Sequence, residues 1–319
     1  MKKNRSGKTS NYRRHTAGGA FGSFITTLLL VVAIGVFAYS GYRLIGYYLD
    51  YKKGTDEYSS LNDDYVSILS DDDAAASSTG STEGALAAAS GLSVLSDVSA
   101  LESADNLQTL VDSAVHEEVE EDGETKSLPV MRNPVDFEDL QSVNEDIVAW
   151  IRVGAIDVSY PVAQSDDNDY YLHRTFKGED NFAGCIFLNC DNSKYFTDQN
   201  TVIYGHNMKN GSMFGRIKKF VEQETYEKNK YIWIFTPDFI YQYEIFGCSV
   251  VGSTGDPYLI RFSKSEYKEF LEKMVAASDI KTTATVTEND RIITLSTCTG
   301  DSSTRRVLQG VLVQTYVAE

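Results

Sequence analysis

Soft ligands and thiols are scarce in this chain: 319 residues carry four cysteines and four histidines. No CxxC pair occurs, and only His173 and His206 fall in a stretch that reads as folded, so no zinc signature is present. No convincing carboxylate cluster marks a calcium site, and neither metal nor cofactor is expected. Cys185 and Cys190 stand five apart in GCIFLNC, where strand alternation sends them to opposite faces, so they are poorly placed to bond each other. Three of the four cysteines are expected to be buried free thiols. No internal repeat is found, and no basic patch falls on the folded part, which argues against nucleic-acid binding.

Charge of one sign is missing locally at the N-terminus. Residues 1–20 carry Lys2, Lys3, Arg5, Lys8, Arg13 and Arg14 and no acid. From Phe21 to Tyr39 there is no charge at all, and the apolar run continues past Arg43 to Leu49. Nineteen uncharged residues at about 1.5 Å each nearly span a hydrocarbon core of about 30 Å. The run exceeds a typical signal-peptide core, and no clear small-x-small cleavage site follows it. A retained anchor over 21–49 is expected, with Tyr42, Tyr47 and Tyr48 as an interfacial belt and the basic tail 1–20 on the cytoplasmic side. The net charge of −17 is thus a basic tail set against a strongly acidic middle.

That middle, 50–130, is rich in Ser, Ala, Asp and Glu and includes the runs Asp71–Asp73 and Glu117–Asp122. Tyr58, Leu61, Tyr65 and Ile68 have helical spacing, which predicts a short amphipathic helix leaving the membrane. Beyond it the composition predicts a solvated, self-repelling tether, largely disordered, with a transient helical tendency around Leu92 to Val115.

The folded domain is expected over 131–319. Phe137, Leu140 and Val143 fit a helical face, and Ile147–Val153 and Tyr160–Val162 read as strands. Further strands are predicted at 184–189, 201–204, 231–236, 239–251, 283–287, 291–297 and 306–316. One amphipathic helix over 265–277 buries Tyr267, Phe270, Leu271 and Met274, with Ser263 and Glu266 forming a capping box at its start. Many short Val/Ile/Tyr/Phe strands with few helices predict a mostly β fold closed into a barrel.

The chemistry concentrates in IITLSTCTGDSSTRRVLQGVL at 292–312. An apolar strand delivers Cys298 to a strand end, and a short polar loop returns Arg305 and Arg306 beside it. A nearby cation favours the nucleophilic thiolate. His206, ending the apolar run TVIYGH, is the better base; His173, in a polar Tyr-Leu-His-Arg segment, reads as surface. TLSTC at 294–298 with an arginine following, and YGHNM at 204–208, resemble the sortases of class B. DNDYYL at 167–172, GCIFLN at 184–189 and GSMFGRI at 211–217 follow the class B order, and the likeness covers Val135 to the C-terminus.

The resemblance implies an eight-stranded β-barrel with an N-terminal helix and one or two further short helices. It implies a cysteine transpeptidase that cleaves a C-terminal sorting motif after Thr through a thioester and passes the secreted protein to a peptidoglycan cross-bridge or lipid-linked precursor amine. Cys298 is then the nucleophile, His206 the acid and base, and Arg305 the oxyanion donor, with Arg306 the competing position. Ser296, Asn168 and Leu172 match positions of substrate contact. The catalytic domain is expected outside the cell, on a single-pass anchor. Two alternatives stay open: a pilin-polymerising sortase or cysteine hydrolase on the same scaffold, or a catalytically silent surface-binding module.

Overall fold

The computed structural model describes residues 18–59, 61–66, 107, 110–121 and 124–319. The basic tail ahead of residue 18 and most of the acidic stretch, including Ile68, Asp71–Asp73 and 67–106 as a whole, lie outside the described residues. By its internal contacts the chain divides into two units, 1–50 and 51–319. Helix α1 spans Gly18–Ser59. In the first unit it is apolar all round, with Leu28, Leu30, Val32, Phe37 and Leu44 exposed. Such a helix suits lipid rather than water. Its segment Ile25–Tyr58 is long and apolar enough to cross a membrane.

The second unit is built on one sheet that closes on itself. Its strands are β1 (Val111–Glu121), β2 (Glu124–Met131), β3 (Ile147–Val153), β4 (Val158–Ala163), β5 (Ile186–Leu188), β6 (Asn200–Tyr204), β7 (Tyr231–Phe235), β8 (Phe239–Gly252), β9 (Ile292–Cys298) and β10 (Thr304–Ala318). The order β10-β8-β7-β3-β4-β5-β6-β9, with β9 pairing back to β10, makes an eight-stranded barrel. Closure leaves the barrel no unpaired edge. Its interior is filled by Ile151, Ile186, Ile203, Tyr243, Ile293, Leu295 and Leu308. Helix α5 (Lys264–Ala276) covers the outside of β8, β9 and β10, packing Tyr267, Phe270, Leu271 and Met274 on Phe246, Ile292, Val307 and Val311. Its capping box is formed: Ser263 Oγ accepts from the Glu266 N–H, and Glu266 reaches back to the Ser263 N–H.

Two short helices complete the frame at the other side, α2 (Leu61–Tyr65) and α3 (Phe137–Val143), while α4 (Gln223–Lys228) leads into β7. The expected strand at 283–287 is not one. Its side chains still alternate, with Ala284 and Val286 packed toward the α5 cluster. Its backbone bonds go to side chains instead of a neighbouring strand: Thr283 N–H to Tyr226 Oη at 3.0 Å and Thr287 N–H to Asp290 Oδ2 at 2.7 Å.

Within 50–130 the described residues are of both kinds: Lys52, Lys53, Asp56, Asp64 and 115–118 are exposed, while others are packed. Tyr58, Leu61, Leu107 and Leu110 are buried, and β1 and β2 form a hairpin whose Val130 and Met131 pair in parallel with the end of β10. Of the stretch Leu92 to Val115, where a helical tendency was read, 92–106 lies outside the described residues and Val111–Val115 is strand. Full burial of one side chain such as Leu61 of α2 contributes about 1.5–3 kcal/mol. Among the cysteines, Cys185 and Cys248 are buried, Cys190 is half-buried and Cys298 is exposed; all four are free.

Candidate active site

Strand ends bring three side chains to one mouth of the barrel. β6 and β9 run parallel with Tyr204 opposite Ser296, and the Gly205 N–H donates to the Ser296 carbonyl at 3.1 Å. His206 and Cys298 each lie two residues past that last pair, so they emerge side by side. Residues Ile292–Thr297 are all buried and Cys298 is the first exposed position of β9. Cys298 is also the antiparallel partner of Arg305, while Arg306 stands opposite Thr297. Directly opposed residues share a face. Arg305 therefore shares the thiol's face, and Arg306 takes the other.

Their hydrogen bonds agree with that register. Arg306 Nη1 donates to Asp279 Oδ2 at 2.8 Å and lies 3.7 Å from Cys248 Sγ. Arg305 Nη1 donates to the Ser302 and Thr304 carbonyls at 3.0 and 2.9 Å, and its side chain lines the cleft with Cys298 and His206.

His206 is held on several sides. A Cβ at Gly205 would lie 2.4 Å from Ile186 Cδ1 and 2.7 Å from Phe214 Cδ2, so glycine alone lets the chain turn this close to the barrel. The His206 carbonyl accepts from the Phe214 N–H at 3.0 Å. Its Nε2 lies 2.8 Å from the Leu172 carbonyl oxygen, which can only accept, so Nε2 carries the hydrogen there. Asn207 Nδ2 donates to the Cys298 carbonyl at 2.7 Å, tying the histidine loop to the backbone of Cys298. His173 is exposed as expected, yet its ring stacks 6.4 Å from that of His206.

The cleft has a volume of about 520 Å³ and runs from Asn168 and Leu172 across Tyr204 and Ser296 to Tyr258. All six sequence-singled residues line it: Cys298, His206, Arg305, Ser296, Asn168 and Leu172. Asn168 Oδ1 accepts from the Cys190 N–H at 2.9 Å, and Asn189 Nδ2 donates to Tyr204 Oη at 3.0 Å. Ser296 Oγ and Tyr258 Oη are 3.2 Å apart, and the Tyr204 and Tyr258 rings stack at 6.2 Å. Burial pushes the Tyr204 phenol up to about 12. It also raises that of Tyr258, against the opposing pull of Ser296 and Arg305. Both phenols thus stay neutral and serve as hydrogen-bonding walls. Among the described residues no three His, Cys, Asp or Glu side chains converge as a metal site.

Sequence reasoning passed over Asn207 and Tyr258. Asn207 follows the histidine directly in YGHNM, and that adjacency was a usable signal. Tyr258 comes from a 3₁₀ turn after β8 and carries no local mark of its destination.

The sortase domain family model matches residues 151–313. A sortase B of Listeria monocytogenes is 37% identical over 189 residues, covering 56% of this chain and 74% of the relative. Among solved structures, a Staphylococcus aureus sortase B–substrate complex has a TM-score of 0.53 at 31% identity, covering 56% of this chain and 84% of its own. A sortase B complexed with triglycine has a TM-score of 0.53 at 32% identity, covering 56% and 85%. With a family model spanning half of its length and class B relatives at this identity, the chain belongs to the sortase family of cysteine transpeptidases, class B.

Proposed function

We propose that this transpeptidase cleaves a C-terminal sorting motif of secreted proteins after a threonine and joins the new carbonyl to a peptidoglycan cross-bridge or lipid-linked precursor amine. The observation that carries this reading is the meeting of Cys298, His206 and Arg305 in one cleft. Cys298 passes its thiol proton to His206 and its Sγ attacks the threonine carbonyl carbon, and the resulting oxyanion is met by the Arg305 guanidinium. The C–N bond then breaks as His206 gives its proton to the leaving amine, which leaves a thioester. The incoming amine attacks that thioester, His206 takes the amine's proton, and the C–S bond breaks to free the thiolate, whose proton stays on His206.

Ser296, Asn168 and Leu172 contact the motif along the cleft. The Leu172 carbonyl has a second task, holding Nε2 so that Nδ1 faces the proton exchange. Binding of substrate and of triglycine by two similar sortase B proteins supports a peptide donor and a glycine-type amine acceptor. The apolar helix at 21–49 anchors the chain, with the basic tail 1–20 in the cytoplasm and the catalytic unit outside the cell. The acidic residues between anchor and barrel space the two, in part as tether and in part packed on the barrel.

The test uses the full chain in detergent micelles, a panel of quenched sorting-motif peptides and triglycine, followed by mass spectrometry. An acyl adduct on Cys298 that passes to triglycine is the expected result. Turnover retained in Cys298→Ala would refute the mechanism. Cleavage that ends only in hydrolysis would favour a cysteine hydrolase.

A further inference from the structure

Tyr58 lies outside the residues matched by the family model, yet it is only 8% exposed. Its hydroxyl donates to the Gly184 carbonyl at 2.8 Å and accepts from the Phe176 N–H at 3.1 Å. Its ring packs edge-on against Tyr160 and tilts against Phe176, with centroids 5.7 and 5.9 Å away. The two backbone groups it binds belong to the loop between Leu172 and β5. Gly184 sits in the left-handed region at φ +61°, and a Cβ there would meet the carbonyl oxygens of Leu172 and Tyr171 at 2.7 Å. Its backbone is therefore pressed against the Leu172 carbonyl, which is the acceptor for His206 Nε2 at 2.8 Å. The loop is closed on itself by Cys185 N–H to Tyr171 carbonyl at 2.9 Å and Asn181 N–H to His173 carbonyl at 2.8 Å. Contacts run unbroken from the Tyr58 hydroxyl through Gly184 and Leu172 to the imidazole.

We propose that Tyr58 is a positioning residue for His206: it clamps the loop that presents the Leu172 carbonyl and so sets the orientation of the ring that exchanges protons. This rests on the role given to His206 above. The segment ahead of the barrel then contributes to turnover, and its part is separable from anchoring. Burial raises the Tyr58 phenol well above its ordinary range, so it remains a neutral donor wherever the enzyme works.

The test compares full-length Tyr58→Phe, Lys53→Ala and His206→Ala in micelles, each assayed well below its own Tm. Tyr58→Phe keeps the ring and removes the clamp. It is expected to lower kcat roughly tenfold, the scale on which small misplacements act, with KM nearly unchanged and the pH profile of kcat displaced. Replacing the Tyr58 hydroxyl with an amino group, which keeps a donor, is expected to restore kcat and to serve where the phenylalanine variant is too unstable to assay. Lys53→Ala removes an exposed pair with Glu179 and is expected to match the wild type. If Tyr58→Phe loses thermal stability while kcat and its pH profile hold, the residue is merely structural and the inference fails. A change in KM alone overturns it too, placing Tyr58 under the motif groove. Wild-type turnover in His206→Ala would instead remove the reading beneath it.

Discussion

The two adjacent arginines give a crossed prediction. Arg306→Ala removes a charge-assisted hydrogen bond to Asp279 and contact with the buried Cys248 thiol, from a side chain that is 18% exposed. Hydrogen bonds to charged groups contribute about 1.5–3 kcal/mol, and water at Asp279 offsets part of that. A loss of roughly 2 kcal/mol lowers Tm by about 4–8 °C in a unit of this size. Turnover is expected to stay within about threefold, in line with surface-type substitutions away from the reacting atoms. Arg305→Ala gives the opposite result. Among the described residues its guanidinium binds carbonyls of its own turn, Ser302 and Thr304, which water can replace, so stability changes by less than about 0.5 kcal/mol. With Arg305 as the proposed oxyanion donor, its loss is expected to lower kcat by about 10²–10³-fold, equivalent to about 2.7–4 kcal/mol. Differential scanning calorimetry and the quenched-peptide assay read the two quantities separately. A folded Arg306→Ala without activity beside a fully active Arg305→Ala would refute the register argument.

Gly205→Ala forces a methyl into Ile186 and Phe214, a clash that costs about 1–3 kcal/mol, and should reduce kcat by displacing His206; unchanged Tm and kcat would contradict the packing. A thiol reagent at pH 8 should label Cys298 quickly and leave Cys185 and Cys248 unlabelled until denaturant is added, as peptide mapping would show. Burial pushes the Cys185 thiol up to about 12 and the Cys248 thiol up to about 11. The unfolded chain therefore releases these protons first, and the stability present below about pH 9 is lost as pH rises toward 11–12. By pH 10.5 each thiol accounts for roughly 2 kcal/mol of that loss. Urea denaturation at pH 8 and 10.5 measures it, and equal midpoints would rule it out.

Much of this was readable because it is local. The strands around 147–153, 231–236 and 291–297, the α5 face and its Ser263–Glu266 box all rest on short-range pattern. The cysteine at a strand end and the histidine in YGHN were legible for the same reason. What escaped depends on long-range partners. Thr283–Val286 has strand alternation but finds Tyr226 where a neighbouring strand would be. Tyr58 and Leu61 showed helical spacing, yet their acidic surroundings read as tether because the receiving surface is 100 or more residues away. Tyr258 reaches the cleft only through the route of the chain after β8. The choice between Arg305 and Arg306 could be framed from alternation, but the face of each needed the β9–β10 register.

That register is itself held by buried chemistry. Adjacent strands stand about 4.8 Å apart, so three side chains on the ends of β6, β9 and β10 fall within about two strand spacings. Four residues from the Arg305–Cys298 pair, and on the same face, Gln309 stands opposite Thr294. Gln309 Nε2 donates to Thr294 Oγ1 at 3.1 Å, and Thr294 Oγ1 donates to Asn200 Oδ1 at 2.8 Å, which links all three strands under α5. These residues are at most 1% exposed. A slip of one residue would turn Leu308 out of the barrel and leave that polar chain unpaired. Each orphaned buried group costs about 1–3 kcal/mol and each displaced aliphatic about as much again. The total rivals the stability of a whole domain, roughly 5–15 kcal/mol. Arg306 therefore cannot replace Arg305 beside the thiol while the barrel stays folded, and the same buried pairs that close the barrel fix which guanidinium faces Cys298.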